Sequence, residues 1–244
     1  MIIEITSRLF QNYIDEFTSH KHLRNVLLGG LNNKLGSLFV DDLENPKEFY
    51  YCLHVNVWFV AGTITREALK EIKNDMNLPA LLFLANDQQL KKVKIIFTTV
   101  KELERTDFSS KHLLKIKDNF LLPRDYQIKL VDKEIGLQID SANFPDDRKE
   151  EFTDGISYSA FYKNILIGFV TTNQQFNYEI DVWVHPDHRR LGIAYILCSK
   201  LINHCLDEGI SPHWDAANSA SVLLAKKLGF TDPDPYKVYL VKSN

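Results

Sequence analysis

The apolar positions of the chain change period several times, and each change marks an element. Phe10, Tyr13, Ile14 and Phe17 recur at helical spacing after Thr6 and Ser7, either of which can cap a helix over residues 6–17. Residues 37–40 and 50–60 read as strands; in the second, Leu53, Val55, Val57 and Phe59 fall on one face and His54, Asn56 and Trp58 on the other. Residues 63–76 return to a helical period, with Thr65 as cap and Ala68, Leu69, Ile72 and Met76 as the buried stripe. Residues 79–85 and 93–97 are predicted strands around a short polar helix, and the charged, amphipathic run 105–117 is a predicted helix.

A break follows at residues 119–125, where Pro123 disfavours helix at Leu122 and a fresh strand pattern begins at Tyr126. We therefore expect two domains, 1–122 and 123–244. In the second, strands are predicted over 126–131, 156–162, 166–172 and 178–184, the middle pair joined by a turn at Lys163-Asn164. Gly168, inside a strand, marks a bulge or a close backbone approach. A helix over 191–208 carries Ala194, Leu197, Cys198, Leu201 and Cys205 as one stripe and stops at Gly209. A strand over 211–214, a helix over 219–228 behind Asn218 and a last strand over 236–241 complete the pattern. No internal repeat is evident.

Composition narrows the class. A chain of 244 residues with 45% hydrophobic and 25% charged positions reads as a globular protein with a sizeable core. The formal net charge of −3 gives no reason to expect a nucleic-acid partner. No apolar run approaches the roughly 18 residues of a membrane span, and the N-terminus lacks a leader pattern, so the expected location is cytoplasmic. Cys52, Cys198 and Cys205 form no disulfide framework and are expected in the core. The histidines His185, His188, His204 and His213 lack zinc-site spacing, so no metal is expected.

The most informative stretch is Arg189-Arg190-Leu191-Gly192-Ile193-Ala194, which sits between a strand and a helix. A helix N-terminus has backbone N–H groups without intrahelical partners and a partial positive charge, so it attracts a phosphate. Gly192 lets the backbone approach a bulky ligand. No Gly-x-x-x-x-Gly-Lys-Ser/Thr is present, which excludes a P-loop nucleotide site.

This Arg-x-x-Gly-x-Ala run resembles the Gln/Arg-x-x-Gly-x-Gly/Ala signature of the GNAT acetyltransferase superfamily. The strand before it, Asn218 after it and the Leu228-Gly229-Phe230 helix ending fit the same resemblance over residues 126–242. The run Pro212-His213-Trp214-Asp215-Ala216, with Asn218 and Ser221, is similar to a branch containing zwittermicin-resistance-like acetyltransferases with an extra N-terminal domain. The resemblance implies an α/β (α+β) GNAT fold, a mixed, mostly antiparallel twisted sheet flanked by helices, after a smaller α/β domain. It implies acetyl-CoA as cofactor, its pyrophosphate on Arg189, Arg190, Leu191, Gly192, Ile193 and Ala194, its pantetheine arm along Val182, Trp183 and Val184, and further contacts from Asn218 and Ser221.

The implied reaction is transfer of an acetyl group to a small-molecule primary amine. An amine attacks only when neutral, so a carboxylate is needed as general base. Glu179 and Asp181 share one face of the 178–184 strand; Glu179 is the first choice and Asp181 the second. The family's usual acid, a tyrosine four residues before the glycine of the helix ending, is replaced by Ala225, which leaves Tyr236, Tyr239, Ser221 or water to protonate the thiolate. That replacement also keeps open a catalytically silent, acetyl-CoA-binding regulatory module. Asp140, Asp146 and Asp147 are weaker candidates for acceptor contacts, and the oligomeric state stays open between monomer and homodimer.

Overall fold

A computed structural model describes residues 2–54, 56–76, 78–117, 121–132, 134–136, 155–172 and 174–242. Contacts divide the chain into two compact units, Met1–Arg105 with Pro235–Asn244, and Thr106–Asp234. Compactness thus breaks the chain at residues 105/106 and 234/235, whereas the expected division at 122/123 drew on Pro123. The C-terminal strand returns to the first unit, a long-range pairing that no local sequence signal announces.

The first unit contains β1 (Ile3–Ile5), a 3-10 helix (Ser7–Phe17), α1 (Arg24–Asn32), β2 (Ser37–Val40), β3 (Glu48–His54), β4 (Val57–Gly62), α2 (Arg66–Asp75), β5 (Ala80–Leu84) and α3 (Asp87–Ile96). Strands β1 to β4 form an antiparallel run, and β4 pairs with β5 in parallel. Helices α2 and α3 contribute Leu69, Ile72 and Val93 to a core built on Tyr50, Trp58, Val60 and Leu82. The predicted strand 50–60 is two antiparallel strands, because the chain reverses between His54 and Val57 and the alternation carries across the turn. The predicted strand 93–97 is the end of α3. Asn86 caps that helix by accepting from the Gln88 and Gln89 N–H groups, and Val93 and Phe97 then face the core at helical spacing.

The second unit contains β7 (Tyr126–Leu130), β8 (Ile156–Tyr162), β9 (Ile165–Thr172), β10 (Asp181–Val184), α4 (Ile193–Asp207), β11 (Trp214–Ala216) and α5 (Ser219–Leu228). Strands β7-β8-β9-β10 form an antiparallel meander, and the Lys163-Asn164 turn takes positive φ at both residues. Gly168 lies opposite the register shift at Ala160/Phe161, and a Cβ there would stand 2.9 Å from the Trp183 carbonyl oxygen. Helix α4 packs across β8, β9 and β10 through Leu197, Cys198, Leu201 and Cys205, each fully buried. Burying such a side chain contributes about 1.5–3 kcal/mol.

The predicted helix over 105–117 is corrected: residues 105–109 are the end of a strand, β6 (Thr99–Ser109), and residues 110–117 form a turn and irregular chain. In β6, Thr106 and Phe108 alternate inward, and the strand pairs antiparallel with β11 through Trp214↔Phe108 and Ala216↔Thr106. The last strand, β12 (Thr231–Lys242), ends beside β5 through Tyr239↔Leu82. Apart from 3-10 helices and from α1 between β1 and β2, the described elements of each half follow one order of four strands, helix, strand, helix, strand, a repeat of architecture without a visible repeat of sequence.

Candidate functional site

In the second unit the chain before β10 and the chain before β11 run parallel and, among the described residues, pair once, at Glu179 and His213. The His213 N–H donates to the Tyr178 carbonyl and the Ile180 N–H to the His213 carbonyl, both at 3.0 Å. The next rung of a parallel ladder would join the Asp215 N–H to the Ile180 carbonyl. Instead the Asp215 N–H donates to Glu179 Oε1 at 2.8 Å. Beyond this point β10 pairs only with β9 and β11 only with β6 among the described residues. The two strands thus leave a wedge whose apex is Glu179.

The second oxygen of Glu179 accepts from His213 Nδ1, and His213 Nε2 donates to Asp107 Oδ1 at 2.9 Å. With both ring nitrogens donating, the imidazole is the charged form. Burial alone lowers the His213 pKa, but the hydrogen bonds and charges of Asp107 and Glu179 outweigh it and raise the value to about 10. Asp107 reaches the site because β6 places it opposite Asp215. Asp181, half-buried, is the first residue of β10 and follows directly on the last shared rung.

The loop after β10 is built around two left-handed residues, Arg190 at φ 64° and Gly192 at φ 82°. Arg189 Nε donates to the Val184 carbonyl at 2.8 Å, tying the loop to the strand end. His188, just before it, shares a 2.8 Å hydrogen bond with the Tyr126 hydroxyl. Ile193, buried, anchors the start of α4, while Arg190 and Leu191 are exposed. No side chain caps α4, and a Cβ at Gly192 would meet nothing within 4 Å. Gly192 is therefore required for its backbone conformation, and the space above it stays free. Uncapped N–H groups, two arginines and open space fit a pyrophosphate.

Of the remaining residues singled out in the sequence, Val182 and Trp183 are half-buried in β10, and Trp183 stacks on Phe169 with 6.1 Å between ring centroids. Asn218 caps α5 by accepting from the Ser221 N–H at 3.0 Å, and Ser221 Oγ accepts from Trp214 Nε1 at 3.1 Å. Ala225 is fully buried in the core. Tyr236 belongs to the first unit, where its ring stacks on His22 at 4.1 Å. Asp140, Asp146 and Asp147 lie outside the described residues. Sequence reasoning missed Asp107, because only the β6–β11 pairing brings it to His213.

A profile of the GNAT acetyltransferase family matches residues 16–239, and the chain belongs to that family. It is 25% identical, over 84% of its length and 85% of the relative's, to the uncharacterized N-acetyltransferase YdfB of Bacillus subtilis (strain 168). Its fold resembles the crystal structure of a GCN5-related N-acetyltransferase-like protein from Streptococcus suis 89/1591, with TM-score 0.80 and 23% identity over 98% of this chain and all of that one. A tandem GNAT protein from the clavulanic acid biosynthesis pathway matches with TM-score 0.60 and 10% identity, over 100% of this chain and 98% of the other. The chain is thus an acyltransferase by family, with the GNAT fold.

Proposed function

We propose that the protein transfers an acetyl group from acetyl-CoA to a small-molecule primary amine, using the second unit. The observation that carries this reading is the wedge between β10 and β11, with an uncapped 15-residue helix opening directly after it. In this reading Arg189 to Ala194 hold the pyrophosphate, and the outer edge of Val182 to Val184 lines the pantetheine arm as an added strand would. Asn218 and Ser221, at the start of α5, complete the cofactor site. Acetyl-CoA supplies the thioester whose acyl carbon the amine nitrogen attacks. The C–N bond forms as the C–S bond breaks, the amine proton passes to a carboxylate, and the thiolate takes a proton from water.

For the base we favour Asp181 over Glu179. Asp181 is the first residue of β10 and stands where the strands separate, and both oxygens of Glu179 are used at the apex, accepting from Asp215 and His213. Turnover of acetyl-CoA with a library of small amines tests the activity; binding of coenzyme A without any acetylated product would overturn it. Asp181→Asn is expected to lower kcat by about 10²–10⁴ with little change in coenzyme A affinity. An unchanged kcat would remove Asp181 from the reaction.

A further inference from the structure

We infer that Glu179 is a positioning residue that keeps the cofactor wedge open, by taking the backbone N–H that would otherwise extend the parallel ladder across it. The inference rests on the wedge being the coenzyme A site. Its physical basis is competition for one donor. The Asp215 N–H can go to the neutral Ile180 carbonyl, which zips β10 and β11 together, or to the Glu179 carboxylate, which stops the ladder after one bridge. A charged acceptor forms the stronger hydrogen bond. His213 and Asp107 hold that carboxylate in place, since the imidazole donates to both acids at once.

The first unit supplies an internal comparison. There the Leu81 N–H donates to the Asn56 carbonyl at 2.7 Å, the same rung as His213 to Tyr178. From that shared rung, Val57 occupies the place of Glu179 and Leu81 the place of His213. Valine offers no acceptor. The ladder there continues through Phe59↔Phe83 and Val60↔Leu84, a register that sends the Phe83 N–H to the Trp58 carbonyl. Two parallel pairs in the same topological place thus differ at the residue that decides whether the next rung forms.

The test uses the full chain with Glu179→Ala and Glu179→Gln, read in two ways: scalar coupling through the hydrogen bond from the Asp215 amide to the Ile180 carbonyl, and coenzyme A affinity by calorimetry. In Glu179→Ala the coupling should appear and Kd should rise about ten-fold or more. Glutamine keeps an Oε1 acceptor without the charge, so Glu179→Gln should show a coupling weaker than in Glu179→Ala and a Kd between those of the parent and Glu179→Ala. Glu179→Ala without the coupling, or Glu179→Gln binding as weakly as Glu179→Ala, would overturn the inference. Should the parent chain bind no coenzyme A, the reading of the wedge falls, while the coupling still decides the ladder. If Glu179→Ala fails to fold, Val57→Glu asks the reciprocal question: the Phe83-to-Trp58 coupling should be lost, and its persistence would overturn the inference.

Discussion

The pair β4–β5 in the first unit and the pair β10–β11 in the second occupy the same place in the same order of elements, yet one is closed and the other open. In the first, the parallel register runs from Val57↔Leu81 to Val60↔Leu84. In the second it stops at Glu179↔His213. The helices that follow differ in the same sense. Helix α2 is capped by Thr65 Oγ1, which accepts from the Ala68 N–H at 3.2 Å, and the Thr65 N–H donates to the buried Glu48 carboxylate at 2.8 Å. Helix α4 begins at Gly192 with no side-chain cap. The first unit caps α2 with its own side chains, while the second leaves α4 without a side-chain cap. One topology therefore gives a half with a continued ladder and a capped helix and a half with a stopped ladder and an uncapped one, and local side chains make the difference.

The comparison is broken most severely at His213. Replacing it with alanine leaves Asp107 and Glu179 without their cation, and we expect a loss of about 3–5 kcal/mol by urea unfolding near pH 6. The sign of the pH dependence follows from a folded pKa near 10 against 6.5 for the free group. The stabilisation is complete below about pH 6.5 and is lost as pH rises through about 10, so the gap between parent and His213→Ala should narrow over that window. A gap that widens with pH would remove the charged imidazole from the apex.

Next in size is Gly192→Asp, which puts a carboxylate at the open helix terminus. Coenzyme A affinity by calorimetry should fall on the order of 100-fold, through repulsion of the pyrophosphate. Folding should lose only about 1–2 kcal/mol, the cost of a left-handed non-glycine residue, because no atom crowds the position. Retained tight binding would separate the loop from the ligand.

Val57→Glu sharpens the comparison from the closed side. Placing an acid where β4 meets β5 should cost about 2 kcal/mol in thermal or urea unfolding, since it competes for a ladder N–H in a buried sheet. Smallest is Thr65→Ala, which removes the α2 cap at about 1 kcal/mol and should leave coenzyme A affinity unchanged. A change in that affinity would show that the first unit takes part in binding.

Much of the fold was legible because short-range pattern and final structure agree. Helix α5, the β8–β9 hairpin with its Lys163-Asn164 turn and the Thr65 cap all stand where spacing and propensity put them. The failures share one cause. Residues 93–97 have strand composition but are held in α3 by the Asn86 cap and by core packing, and the charged run from Arg105 is strand as far as Ser109 because β11 supplies its partner. In the site, the glycine loop announced itself through residue type and order. The roles at the apex did not, because Glu179 and Asp181 are equivalent by alternation alone, and Asp107 is distant in sequence from both.

The sequence by itself determined the family signature, the loop at Arg189 to Ala194 and the helix it opens, because these depend on residues adjacent in the chain. Only the tertiary structure decided that the chain repeats one architecture, that its last strand joins the first unit, and that Glu179 meets His213 and the Asp215 N–H. Those features depend on which strand lies beside which. A strand pattern specifies a face to bury and two edges to pair, but it does not name the partner that will pair them.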